Sequence, residues 1–126
     1  MKTALFDELS FVPAGHEDPQ SPGVLKKVLL ACGDLQPGTV QMVNWAKLLP
    51  GRSFASHYHQ DMQEMFIMVA GVARLLVDGV EVTMKPGDTV RIDPGEVHEM
   101  FNETDEPAEY LAIGIASGNG DTVVVE

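Results

Sequence analysis

The chain has a single cysteine, Cys32, so no disulfide can close within it, and its composition fits a reducing cytoplasm. Basic residues are scarce. Eight Lys and Arg against nineteen Asp and Glu set the net charge at −11, which repels phosphate backbones and anionic lipid surfaces. Nucleic acid and membrane are therefore poor partners. No apolar run approaches the roughly 20 residues needed to cross a bilayer, and residues 1–8 carry acid where an export signal needs an unbroken apolar stretch. A soluble, cytoplasmic protein is the expectation. Sustained helical periodicity is also missing, although residues 61–68 could pass for one apolar helical turn.

What the chain does have is the punctuation of an all-β protein. Its 126 residues suit one domain with one sizeable core. Residues 1–23 hold Pro13, Gly15, Pro19, Pro22 and Gly23 among acids, which predicts an extended N-terminal arm, leaving 24–126 as a single barrel. Strand-like segments follow at 24–31, 40–48, 54–59, 64–70, 72–77, 80–84, 89–92, 97–102, 108–116 and 122–125. The first two flank the turn 33–38, and Asp78-Gly79 joins the sixth to the fifth as a two-residue hairpin turn. Roughly ten short strands at close spacing indicate a barrel or sandwich.

Three of the four histidines and one glutamate, His57, His59, Glu64 and His98, fall on these segments. Residues two apart on a strand face the same way, so the imidazoles of His57 and His59 can meet one ion. This pattern points to a metal site. Isolated histidine pairs on strands are usually surface decoration; here two further ligand types lie nearby.

The spacing resembles the cupin superfamily. A first motif of glycine, five residues, His-any-His, three or four residues, glutamate, six residues and glycine is matched by Gly51, His57, His59, Glu64 and Gly71. A second is matched by Gly87-Asp88, Gly95, His98 and Asn102, with one departure: Asp93 stands where the family has proline, and Pro94 directly precedes Gly95 instead. Only fifteen residues separate Gly71 from Gly87, as in the shortest microbial single-domain cupins.

The resemblance implies a double-stranded β-helix or jelly-roll barrel with a divalent transition metal inside, one of Mn, Fe, Co, Ni, Cu or Zn, held by His57, His59, Glu64 and His98. Those four ligands would leave two positions of an octahedral ion for substrate or water. With His57 and His59 inward, alternation turns Ala55 inward and Phe54, Ser56 and Tyr58 outward. The same rule sets Phe66 and Met68 beside Glu64, and Met100 beside His98. Ala55, Phe66, Met68, Met100 and Met42 form the expected substrate pocket, with Glu64 as the catalytic base. Gly51, Gly71, Gly87 and Gly95 read as turn residues, Asp88 as a turn cap, Asn102 as a pin for its strand end, and His16 as a solvated residue of the arm. Trp45 is expected under the arm or in a subunit interface, and Glu99, Glu103, Asp105, Glu106 and Glu109 as a solvated rim.

Three functions fit the site. The favoured one is an enzyme acting by oxygenase or related redox chemistry on a small, largely apolar or aromatic molecule. The others are a Lewis-acid isomerase, lyase or decarboxylase of a small carbonyl compound, and a non-enzymatic module that binds metal and a small ligand. Arg52, Arg74 and Arg91 are the basic residues near the motifs, and alternation puts none of them inside, which disfavours phosphosugars and polycarboxylates. The family likeness also implies a homodimer.

Overall fold

The computed structural model describes residues 2, 4–35, 38–116 and 121–126. Among them are eleven strands: β1 (Val12–Pro13), β2 (Val24–Leu30), β3 (Val40–Leu48), β4 (His57–His59), β5 (Met62–Ala70), β6 (Ala73–Val77), β7 (Val80–Met84), β8 (Thr89–Ile92), β9 (His98–Phe101), β10 (Ala108–Ala116) and β11 (Thr122–Val124). Two antiparallel sheets face each other, one ordered β1-β2-β3-β10-β5-β8 and the other β11-β4-β9-β6-β7. This is the expected all-β jelly-roll barrel.

Period-two patterning assigns each strand its inner face. Along β10, Ala108, Tyr110, Ala112 and Ala116 are buried while Glu109, Leu111, Ile113 and Ile115 are half-buried on the outside. Along β5 the inner row is Met62, Glu64, Phe66 and Met68. The dry core packs Leu48 and Met68 from the first sheet against Leu75, Met84 and Met100 from the second. Burial at about 25 cal/mol per Å² of apolar surface holds the two sheets together.

Turn chemistry sets the strand ends. Asp78 and Gly79 both take positive φ, 45° and 82°, the conformation that folds β6 back on β7 with the right twist. Gly71 has φ 79°, and a Cβ there would meet the Pro107 carbonyl oxygen. Asp88 caps its turn by accepting the Lys85 N–H, and Asn102 pins two loops by donating to the carbonyls of Leu48 and Glu106.

Two expectations need correction. Residues 54–56 are not strand, and the alternation counted back from His57 fails there: Phe54 is buried in the core, not turned outward. Residues 62–63 extend β5 instead of forming a helical turn. Within the arm, Val12 and Pro13 pair with Lys26 and Leu25 and add an edge strand to the larger sheet. Gln36 and Pro37 of the expected 33–38 turn lie outside the described residues; Cys32–Asp34 just before them make one 3-10 turn.

The arm explains two side chains on the outer face. Lys27 is buried because its ammonium donates to the Phe6 carbonyl and sits 3.5 Å from the Phe6 ring centroid. Trp45 stacks edge-on against Phe6 at 5.1 Å, and its indole N–H donates to Glu109. Trp45 is thus under the arm, one of the two places expected for it.

Candidate metal centre

The barrel interior brings His57, His59, Glu64 and His98 together. All four are buried, and one ligand atom from each lies within 4.8 Å of the others. The histidines come from adjacent strands of one sheet, β4 and β9, with His57 and His98 paired across the seam. Glu64 reaches in from β5 of the opposite sheet, where Ile92 is its neighbour on β8. Opposite ligands about 2.1 Å from one ion would be about 4.2 Å apart, so the cluster is nearly closed around an ion-sized space.

Hydrogen bonds orient the rings. His57 donates from Nδ1 to the Ala55 carbonyl at 2.6 Å, and His98 from Nδ1 to the Glu96 carbonyl at 2.9 Å. Each bond selects the tautomer whose Nε2 lone pair faces the centre. His59 Nδ1 lies 3.1 Å from the Thr122 hydroxyl, its partner across the β4–β11 pair. Glu64 Oε1 is 2.5 Å from His59 Nε2 and 3.4 Å from His98 Nε2.

The electrostatics suit a cation. Burial first, and then neighbouring His98, lowers the His57 pKa to about 3, so this ring is neutral and its lone pair available. Burial acts to raise Glu64, but the His59 and His98 rings beside it outweigh burial and bring the carboxyl down to about 2. His98 Nε2 is sealed from solvent yet makes no hydrogen bond. Such an atom is costly in a protein interior unless something binds it. Three imidazoles and a carboxylate fit a divalent transition metal, and nothing in the donor set selects among Mn, Fe, Co, Ni, Cu and Zn.

Beside the cluster lies a cavity of about 510 Å³. Phe66 and Met42, both expected on its wall, are there. Ala55 is not on the wall, and Met68 and Met100 are packed into the dry core instead, 1% and 0% exposed. Phe54, Tyr110, Asn44, Lys26 and His16 are among the other lining residues. Burial pushes the Tyr110 hydroxyl pKa far up, so it stays protonated. The three arginines near the motifs do stay outside: Arg74 pairs with Glu81 and Glu103, Arg91 with Asp93, and Arg52 bonds to Ser21.

His16 is the largest departure from the sequence reading. It is not solvated but stacks on His57, with ring centroids 4.3 Å apart and planes 30° from parallel. Glu17 holds it there by accepting the N–H groups of Gly23 and Ala55. Its presence in a Gly/Pro-rich arm gave no local signal, since the contact spans 41 positions (57 − 16).

Two facing antiparallel sheets enclosing three histidines, a glutamate and an apolar cavity define a class: jelly-roll barrels with an internal metal-type centre. The chain belongs to the cupin family, whose Cupin_2 domain model matches residues 44–114. It is 35% identical over 64 residues to gentisate 1,2 dioxygenase 1 of Aquipseudomonas alcaligenes; that match covers 51% of this chain but only 18% of the enzyme. Among solved structures, a protein of Thermotoga maritima described as a predicted oxalate decarboxylase superposes with a TM-score of 0.79 at 25% identity, covering 92% of this chain and 99% of that one. The polyketide cyclase RemF of Streptomyces resistomycificus superposes with a TM-score of 0.82 at 15% identity, covering 100% of this chain and 86% of that one, a likeness of fold.

Proposed function

We propose that this cupin is a metal-dependent enzyme acting on a small, largely apolar or aromatic organic molecule, with oxygenase or related redox chemistry favoured. The observation that carries the reading is the convergence of His57, His59, Glu64 and His98 on one ion-sized space at the wall of an apolar cavity. Similarity to a gentisate dioxygenase, 35% identity over 64 residues, supports the oxygenase direction, although the chain spans less than a fifth of that relative.

A bound divalent metal would supply Lewis acidity and open coordination positions. His57, His59 and His98 would hold it, their rings fixed by Ala55, Thr122 and Glu96. Glu64 is ionised, which suits a ligand, and a carboxyl held so low is a weak proton acceptor, so its ligand role outranks its role as catalytic base. Phe54 and Phe66 pack edge to face on each other and supply aromatic surface at the cavity wall beside the cluster. Decarboxylase or isomerase chemistry on a small carbonyl compound is the second reading, favoured by the likeness to the Thermotoga protein across nearly its whole length. A cytoplasmic homodimer belongs to the same proposal; half-buried Met65, Ile67, Leu111 and Ile113 on the outer face of the larger sheet support a packed partner.

Metal analysis by mass spectrometry followed by oxygen-consumption assays with small aromatic substrates tests the reading. One metal per chain, lost in His57→Ala and His98→Ala proteins that stay folded, is the expected result, together with substrate-dependent oxygen uptake. A metal-binding protein with no turnover on any substrate class would make it a binding module.

A further inference from the structure

Lys26 is the one lysine or arginine on the cavity wall among the described residues. It stands on β2, where its cross-strand partner is Ala46 of β3. Ala46 is buried in the core cluster, so the register puts Lys26 on the inner face of the larger sheet, whereas Lys27, opposite Trp45, is on the outer face under the arm. That inner face runs from closed to open along β2. Val24, two residues before Lys26, is 2% exposed, and Val28, two residues after it, is 38% exposed. Lys26 between them is half-buried, at the rim of the cavity. A long side chain there can lay its methylenes on the apolar wall and keep its ammonium partly hydrated.

The charge of Lys26 is left unmatched. Ion pairs or hydrogen bonds occupy Lys2, Lys27, Arg52, Arg74 and Arg91, whereas among the described residues Lys26 has neither. The carboxylate on the cavity wall is Glu64, which is taken up by His59 and His98. Glu64 projects from β5, three strands from β2 in the order β2-β3-β10-β5. At about 4.8 Å per strand, the two positions are about 14 Å apart along the sheet. Lys26 therefore serves a different part of the cavity from the histidine cluster. In a chain with nineteen acids and eight bases, a cation kept unpaired on an inner face is a group held for something that enters.

We propose that Lys26 selects the cavity's ligand by pairing with one carboxylate, and that the ligand is a monocarboxylate with an apolar body. One ammonium balances one negative charge, while a phosphate or a second carboxylate would call for further cationic donors, which the described wall lacks. Phe54, Phe66 and Ala112 match the apolar body. The assignment rests on the reading of this cavity as the substrate site, and it is independent of which reaction the metal serves.

The test uses the full chain, metal content measured first, with 1-naphthoate and its neutral isostere 1-naphthamide as probes in isothermal titration calorimetry at neutral pH. Lys26→Met keeps the length of the stem without the charge, and Lys26→Arg keeps the charge. The parent should bind naphthoate about fivefold or more tighter than the amide, the order expected of one half-buried ion pair. Lys26→Met should lose that preference while its affinity for the amide stays within about twofold, and Lys26→Arg should retain it. Metal content and melting temperature should be unchanged in both. A preference that survives in Lys26→Met overturns the proposal, and so does a parent that binds neither probe or both equally. If the preference survives Lys26→Met but vanishes in metal-free His98→Ala, the carboxylate belongs to the metal and the assignment to Lys26 fails. A parent that holds no metal and still prefers naphthoate through Lys26 would sink the metal-dependent reading and leave this one standing. Should Lys26→Met fail to fold by circular dichroism, Lys26→Gln decides the outcome.

Discussion

His57 and His98 are paired directly across the seam between β4 and β9, with ring centroids 4.4 Å apart, and each ring donates from Nδ1 to the carbonyl two residues before it. Two strands thereby use one local device to aim two Nε2 lone pairs at one point. The loops that supply those carbonyls, at Ala55 and Glu96, are part of the site as much as the rings are.

Thr122 orients His59 from the neighbouring strand, 3.1 Å from Nδ1. Thr122→Val preserves shape and removes the hydroxyl. Metal affinity should fall about tenfold, within the 10–100-fold range for partners that orient a ligand, while the fold is unchanged. Competition with a chromophoric chelator measures it, and equal affinity in both proteins would show the ring is fixed by packing alone.

Stability of the metal-free protein should depend on pH in a definite direction. His57 titrates near 6.5 when unfolded and is held down to about 3 when folded. Between those values the unfolded chain binds the extra proton, so stability is complete above pH 6.5 and is lost as pH falls, by up to about 1.4 kcal/mol per pH unit from this group. Urea midpoints at pH 7.5, 5.5 and 4.5 should decrease in that order. In His57→Phe the slope should flatten; an unchanged slope would assign the effect elsewhere.

Glu17 fastens the arm to the barrel through two backbone N–H groups, Gly23 at 2.7 Å and Ala55 at 2.8 Å. Glu17→Gln leaves one oxygen to accept and turns an amide toward the other donor. A loss of about 1.5–3 kcal/mol is expected, the range for hydrogen bonds to a charged group. Denaturant titration checks it, and a variant as stable as the parent would show that the arm is held by its apolar contacts alone.

The glycines separate two effects of a methyl group. Gly87→Ala meets open space and bears only the left-handed backbone penalty, about 1–2 kcal/mol. At Gly71 the added Cβ would also lie 2.5 Å from the Pro107 oxygen, so Gly71→Ala should be the more destabilising of the pair by at least about 1 kcal/mol. Equal melting temperatures for the two variants would contradict the close approach.

Most of the barrel was legible because turn residues bracket its strands. The ends of β3, β7 and β8 fall where Pro-Gly and Asp-Gly pairs put them, and Pro107 sets the start of β10. The cluster was legible because strand alternation and motif spacing both report on local geometry. Phe54 was misplaced since alternation holds only within a strand, and 54–56 is irregular. Met68 and Met100 do share a face with the cluster, but that face runs on past the cavity into the packed core. His16 was misread for a different reason: an arm without periodicity carries no sign of the surface it covers, so what it buries emerges only in three dimensions.

The strand that carries His57 and His59 is gripped on one side by Thr122 near one end of the sequence and overlaid on the other by His16 near the opposite end. A cation held between those rings would therefore depend on segments outside 57–98: a polypeptide lacking His16 or Thr122 would contain every donor and still bind more weakly, and chelator competition on such truncations reads the difference.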